Sequence, residues 1–238
     1  MSKDNRKDIL LSSIDYSFIS LLSNKVKVLI VGGGRAGFIK AKALSKNGCI
    51  IKIISKVFSK EFDKLKKFPN VKLIKDEYKK DYISENHLII IAVEDENTNA
   101  IIRKHCEEQC KLYLDCSGFE RGLFVVPCQR SSKNATFAIN TKRGNPKTAV
   151  YLAEEIKDNL IKKDSFIEYS CSLRNIINES KHKTAIMNFI ATDDFHFFYN
   201  KGKHEIILKM FYGGNYFEVN SSNKKEYSST NSNGFSNK

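Results

Sequence analysis

Several features are missing from this 238-residue chain, and each absence narrows what it can be. None of its six cysteines, Cys49, Cys106, Cys110, Cys116, Cys128 and Cys171, stands in a Cys-x-x-Cys pair, and no secretory signal precedes them. A disulfide framework is therefore not expected, and a reducing cytoplasm is the expected setting. No apolar run approaches the roughly 20 residues that a membrane-spanning helix requires, so no membrane partner is expected. No internal repeat occurs. Acidic residues are scarce beside basic ones: 27 Asp and Glu against 40 Lys and Arg leave a formal charge of +13. That balance favours an acidic partner, whether nucleic acid, an anionic surface or a polyanionic small molecule. No block of lysines resembles an RNA-binding tail, however, and a Lys- and Asn-rich composition gives the same charge with no partner at all. Cys106 and Cys110, with His105 beside them, would share a helix face, but a metal site needs further ligands. Thiols of an amphipathic helix are the plainer reading, and no metal is expected.

What is present, including 41% apolar residues, is enough for a real core. VKVLIV (26–31) reads as a buried strand, and Gly34 to about Asn47 as a helix with Ala36, Ala41, Ala43 and Leu44 at its small or apolar positions. CIIKII (49–54), VKLI (71–74), HLIIIAV (87–93) and KLYLD (111–115) read as further strands, with a helix over Asn97 to Gln109. Strand and helix alternate with short connections, which predicts an α/β fold with a parallel sheet and helices on both faces. After Asp115 the pattern changes. GLFVVPCQR (122–130) and NATFAINT (134–141) look like two strands joined by a polar turn. Pro146 to about Lys163 reads as one helix with Ala149, Leu152, Ala153, Ile156 and Leu160 on one face. Residues 166–212 contain more helix with aromatic clusters, FHFFY (195–199) among them. From Gly213 the chain turns to Ser, Asn and Lys and has too little apolar content to fold.

Gly32, Gly34 and Gly37 form G-x-G-x-x-G between the first strand and the first helix. The first permits a tight turn, the second lets backbone approach a pyrophosphate, and the third lets helix and strand pack closely. The helix N-terminus would face the phosphates with free N–H groups. The binding residues expected are Gly32, Gly34, Arg35, Ala36 and Gly37, with Ser55, Lys56, Val57, Val93 and Glu94 on the adenosine side and strand end. A carboxylate expected at the end of the second strand, to hold the ribose 2′-OH, is missing: the chain there reads Ile53-Ile54-Ser55-Lys56. Ser55 can still hydrogen-bond, and Lys56 tolerates a 2′-phosphate, so NAD against NADP stays open at this position.

The order of these segments resembles the precorrin-2 dehydrogenases of sirohaem synthesis. The resemblance runs over roughly residues 15–160, from DYSFISLLSNKVKVLIVGGG (15–34) through GFIKAKALSKNG (37–48), AVEDENTN (92–99), KLYLD (111–115) and FVVP (124–127) to INTKRGNPKTAVYLAEEI (139–156). It implies NAD as cofactor and a reaction in which precorrin-2 loses a hydride and a proton to give sirohydrochlorin. In some relatives Fe²⁺ is then inserted as a further substrate. Asp115 matches the catalytic aspartate of the family, at the C-terminal end of a parallel strand, where ligands meet an open α/β sheet. The alternative for Asp115 is a turn or helix cap. Thr141 sits where some members carry a functional serine. Lys142 and Arg143 replace residues that are usually small, so they either pair with the carboxylates of a tetrapyrrole or block its pocket. The segment CSGFERGLF (116–124) is a couple of residues longer than is usual. The resemblance also implies a homodimer joined through the segments after the sheet, which are too small to be stable alone.

The organisation expected is thus a Rossmann-like NAD-binding domain (1–120), a small α+β dimerisation segment (121–163), a helical C-terminal region (164–212) and a disordered tail (213–238). A second functional reading is a non-catalytic NAD(H)-sensing Rossmann protein, which has no need of a carboxylate at 115. A third, a nucleic-acid binder driven by charge, predicts strongly salt-dependent binding. The dehydrogenase is preferred, with no nucleic-acid partner. ATDD (191–194) copies the strand-end tetrapeptide of the family but follows helix-like sequence, so Thr192, Asp193 and Asp194 are expected to cap a helix or turn.

Overall fold

The central strands of the first half are apolar on both faces because both faces are covered, whereas the edge strand Val71–Ile74 leaves Lys72 exposed. In the computed structural model, which describes residues 15–213, β1 (Lys27–Val31), β2 (Ile50–Ile54), β3 (Val71–Ile74), β4 (Leu88–Ile91) and β5 (Leu112–Asp115) form one parallel sheet in the order β3-β2-β1-β4-β5. Val28, Ile30, Ile51, Ile53, Ile90 and Leu114 face one cluster with Phe38, Ala41 and Phe62. Leu29, Val31, Ile54, Ile89, Ile91 and Tyr113 face the other with Ile83, Ile102 and Cys106. The helices that supply those partners are α1 (Arg35–Lys46), the single turn α2 (Asp81–Ser84) and α3 (Glu96–Glu108), with Phe62 coming from a 3-10 helix at Lys60–Leu65. Every buried Val, Leu or Ile contributes about 1.5–3 kcal/mol relative to exposure.

Register then fixes where chemistry can occur. Ile74 pairs with Ile54, Ile54 with Val31, Val31 with Ile91, and Ile91 with Asp115, so five strands end in one row. The chain leaves β1 toward β2 on one side and returns to β4 on the other. That reversal is the topological switch point at which open α/β sheets bind ligands.

The chain divides into two compact units, and the first runs to Pro127, seven residues past the boundary expected at 120. The expected strand at 122–130 is the reason for the difference. Only Cys128–Ser131 is strand (β6); residues 122–127 cling instead to the edge of β5. The Leu123 N–H donates to the Tyr113 carbonyl at 2.8 Å, while Phe124 and Val126 pack on the first cluster. Apolar composition alone did not distinguish this pinned segment from a ladder strand.

In the second unit β6 pairs antiparallel with β7 (Thr136–Ile139), and the hairpin lies against α4 (Pro146–Ile176). α4 is 31 residues long and so runs well beyond the expected end at 163. Nothing stops it there: after Pro146 the segment holds neither Gly nor Pro, and Phe166, Tyr169 and Leu173 continue into a third cluster. That cluster is closed by α5 (Lys183–Ile190), α6 (Asp193–Asn200) and α7 (His204–Tyr212). Cys110 lies beyond the end of α3 at φ 51°, so it is exposed while Cys106 is buried, and the two do not share a helix face. The tail expected from Gly213 lies outside the described residues after Gly213 itself.

Thr192 is the N-cap of α6. Its side-chain oxygen accepts from the Phe195 N–H at 3.2 Å, and Asp193 and Asp194 occupy the first turn, where negative charge suits the helix dipole. Thr192→Ala is expected to cost about 1 kcal/mol in a urea unfolding titration. An unchanged midpoint would show that the cap carries no stability.

Candidate active site

Three glycines leave β1, and the structure assigns them different tasks. Gly32 has φ +127°, and a Cβ on it would lie 2.2 Å from the Ala92 carbonyl oxygen. A Cβ on Gly37 would lie 2.3 Å from the Gly32 carbonyl oxygen, so helix and turn touch there. Gly33 is equally constrained: its Cβ would meet the Val57 carbonyl oxygen at 2.2 Å. Gly34 differs, because a Cβ there meets nothing within 4 Å and its φ of −87° suits any residue. The protein itself therefore does not require glycine at 34, whereas a phosphate pressed against that backbone would.

Gly34 is also the N-cap of α1, and no side chain caps the helix or places an acid in its first turn. Arg35 and Ala36 are exposed beside it. Uncapped N–H groups, a positive helix end and a bare backbone are what a pyrophosphate needs. The donor set therefore fits a dinucleotide.

The loop after β2 closes one side. The Ser55 hydroxyl donates to the Val57 carbonyl at 2.7 Å, and the Ser59 N–H donates to the Gly33 carbonyl at 2.9 Å. Lys56 and Val57 are exposed. The Lys56 ammonium pairs with Glu77, three residues past the end of β3, at 2.8 Å. The loop after β4 closes the other side, with Val93 half-buried and Glu94 exposed. Asp95 caps α3 by accepting from the Thr98 N–H at 2.8 Å. Asn99 is buried and donates to the Val93 carbonyl at 3.1 Å, which fixes that loop.

Asp115 ends β5 with its side chain fully covered. One carboxylate oxygen accepts from the Ser117 N–H at 2.8 Å and from its hydroxyl at 2.5 Å. The other pairs with Arg103 of α3 at 2.5 Å. Arg103 also reaches Glu96 at 2.7 Å, and Arg121 reaches the same Glu96 oxygen at 2.7 Å. Charges therefore alternate from the strand end to the surface. Burial pushes the Asp115 carboxyl up, but the Ser117 hydrogen bonds and the Arg103 guanidinium outweigh it and hold the group below its ordinary value. It is a carboxylate at neutral pH. Arg103, Ser117, Glu77 and Asn99 were not singled out from sequence. Asn99 stood inside a recognised segment (92–99) and Ser117 inside CSGFERGLF (116–124), but neither was given a role; Arg103 and Glu77 lie on no motif, and only folding brings them to the row of strand ends.

The NAD(P)-binding family model matches residues 19–128. A Methanocaldococcus jannaschii protein named "putative precorrin-2 dehydrogenase" is 29% identical over 162 residues, which cover 65% of this chain and 77% of that protein. A solved structure titled SirC, precorrin-2 dehydrogenase, shares the fold with a TM-score of 0.62 at 21% identity, over 82% of this chain and 98% of that one.

The chain is similar to precorrin-2 dehydrogenases in sequence and in fold.

A sirohaem synthase from Psychrobacter cryohalolentis is 38% identical over 73 residues, and the match spans 14% of that longer protein. The remaining residues that the family resemblance singled out, Thr141, Lys142 and Arg143, lie in the second unit. They form the turn between β7 and α4. Thr141 accepts from the Gly144 N–H through its carbonyl at 3.0 Å and from the Asn145 N–H through its hydroxyl at 2.5 Å. Asn145 in turn caps α4 by accepting from the Thr148 N–H at 3.1 Å. Lys142 and Arg143 are exposed at the tip of this turn.

Proposed function

We propose that this protein dehydrogenates precorrin-2 to sirohydrochlorin with NAD⁺. The observation that carries this reading is one row of strand ends: Gly32 follows β1 and Asp115 closes β5, separated only by β4. At about 4.8 Å per strand the two backbones stand on the order of 10 Å apart. A dinucleotide held at the glycine loop would span such a gap. Bound NAD⁺ supplies a hydride acceptor, and the substrate loses that hydride and a proton to leave sirohydrochlorin, NADH and H⁺. Asp115, held ionised by Ser117 and Arg103, accepts the proton as the Arg103 contact loosens. Purified protein, enzymatically made precorrin-2 and NAD⁺ should give sirohydrochlorin bands in visible spectra together with NADH absorbance. No spectral change at saturating NAD⁺ would defeat the proposal.

One observation favours a second reading. A covered, ion-paired carboxylate also serves as a structural cap, which suits an NAD(H)-sensing protein without turnover. That reading predicts NAD(H) binding and no reaction.

Lys142 and Arg143 suit the tetrapyrrole class of substrate, whose acetate and propionate arms are carboxylates. An arginine grips one carboxylate with two parallel hydrogen bonds, while a lysine acts as a point charge. Replacing the pair with Gly and Ala should raise the KM for precorrin-2 about tenfold, more at low salt, and leave NAD⁺ affinity alone. Tighter tetrapyrrole binding in the double variant would mean that the two side chains obstruct the substrate. A similar proposal covers assembly: the hairpin with α4 pairs two copies, because Val150, Tyr151, Ile156 and Ile161 expose apolar surface along α4. Light scattering that gives a monomer at micromolar concentration would remove it. Iron insertion and a cytoplasmic setting belong to the same reading. All six cysteines are free thiols, and no helix among the described residues is long and apolar enough to cross a membrane.

A further inference from the structure

The second strand lacks the acid that usually selects NAD, yet an acid stands beside its end. Glu77 reaches it from the loop after β3, because β2 and β3 run parallel and finish together at Ile54 and Ile74. The Ser55 N–H donates to the Ile74 carbonyl, which carries the pairing one residue further. The neighbouring acid, Asp76, is committed elsewhere. It accepts from the Lys79 ammonium at 2.8 Å, the Tyr82 hydroxyl at 2.6 Å and the Glu77 N–H at 2.8 Å. Glu77 is thereby the carboxylate that meets Lys56, at 2.8 Å, on an open surface where both side chains are about 70% exposed. The Ser55 hydroxyl is spent on the Val57 carbonyl within its own loop.

We propose that Glu77 is the specificity residue for the adenosine ribose. It accepts hydrogen bonds from the ribose hydroxyls of NAD⁺, and it occupies Lys56, the cation next to that strand end, which a 2′-phosphate would otherwise recruit. The inference rests on the reading that the glycine loop holds a dinucleotide. Three physical points support it. A carboxylate at this edge accepts from a 2′-OH and repels a 2′-phosphate. A lysine already paired with a carboxylate is a poor partner for a second anion. An exposed ion pair is also weak by itself, at about 0–1 kcal/mol, so a ligand can remodel it without a large penalty.

Calorimetry with NAD⁺ and NADP⁺, and with 5′-AMP and 2′,5′-ADP as half-molecule probes, tests this on four proteins: wild type, Glu77→Gln, Lys56→Gln and the double variant. The wild type should bind NAD⁺ more tightly than NADP⁺. Glu77→Gln should weaken NAD⁺ and strengthen NADP⁺, so that the ratio of the two dissociation constants moves about tenfold or more, the size of one charge-assisted contact. The gain for NADP⁺ and 2′,5′-ADP should vanish in the double variant, because Lys56 provides it. A ratio unchanged in Glu77→Gln with NAD⁺ binding intact would overturn the assignment of Glu77 alone. A gain that survives in the double variant would overturn the role of Lys56. A wild type that binds none of the four probes would overturn the dinucleotide reading and, with it, this one.

Discussion

Gly34→Val should abolish NAD⁺ binding and leave the protein folded. The substitution places a branched side chain where the structure has open space, with nothing within 4 Å of the new Cβ and an ordinary φ of −87°. The cost to the fold is confined to a poorer N-cap, about 1 kcal/mol. Any pyrophosphate resting on that backbone is displaced, and the Kd for NAD⁺ should rise about a hundredfold or more, ~2.8 kcal/mol at 1.4 kcal/mol per decade. Gly32→Val is the control for the opposite case. It forces a β-branched residue to φ +127° with its Cβ 2.2 Å from a carbonyl oxygen, so it should fail to fold rather than merely fail to bind. Calorimetry and a thermal melt on the two variants separate these outcomes. A Gly34→Val protein that melts normally and binds NAD⁺ as well as wild type would remove the glycine loop from the binding site.

Asp115→Asn should lower turnover about 10²–10⁴-fold, the usual contribution of a general base, with NAD⁺ affinity kept. Asparagine retains a side-chain oxygen that can accept from the Ser117 N–H and hydroxyl, so the turn after β5 stays capped. It cannot take a proton. Arg103 loses one carboxylate but keeps Glu96, which limits the damage; removing one partner of a fully buried pair costs about 3–5 kcal/mol, an upper bound here because Arg103 is partly exposed. The sign of the pH dependence follows from the depressed pKa. Stability from the pair is fully present above the ordinary Asp value of 3.8 and is lost as pH falls through the lower folded value. Melting temperature should therefore not respond to this group near neutral pH. Activity within a few-fold of wild type in Asp115→Asn would return Asp115 to a structural cap and favour the sensing reading.

The sheet was legible because its signals are local. Strands buried on both faces read as unbroken apolar runs, and each such run between 26 and 115 became a strand within one or two residues. The glycine loop was legible for the same reason, since its spacing, strand and helix are contiguous. Cys106 and Cys110 misled because helical spacing assumes a helix that continues, whereas α3 stops at Glu108. GLFVV (122–126) misled because two hydrogen bonds to a single carbonyl at a sheet edge, with half-buried side chains, need the same composition as a strand. The partners of Asp115 and Lys56 lay beyond reading. Arg103 is 12 residues from Asp115 and Glu77 is 21 from Lys56, and no periodicity links them. Strand register brings Glu77 to Lys56, and the packing of α3 on the sheet brings Arg103 to Asp115.

α4 serves two neighbours that are each too small to stand alone. Near its start, buried Ala149 and Ala153 and the Glu154–Arg130 ion pair hold it to the hairpin. In its middle, Asp164 accepts from Ser132, Lys133 and Asn134 and so ties down the hairpin turn. Near its end, Leu173 is embedded in the aromatic cluster of the last three helices. A two-stranded hairpin is marginal in water, and so are isolated helices of eight or nine residues. The continuous hydrogen-bonded rod between them, about 46 Å long at 1.5 Å per residue, makes their fates common. Loosening at the aromatic end should spread to the hairpin, and amide protons at both ends of the rod should exchange with solvent in a single cooperative opening.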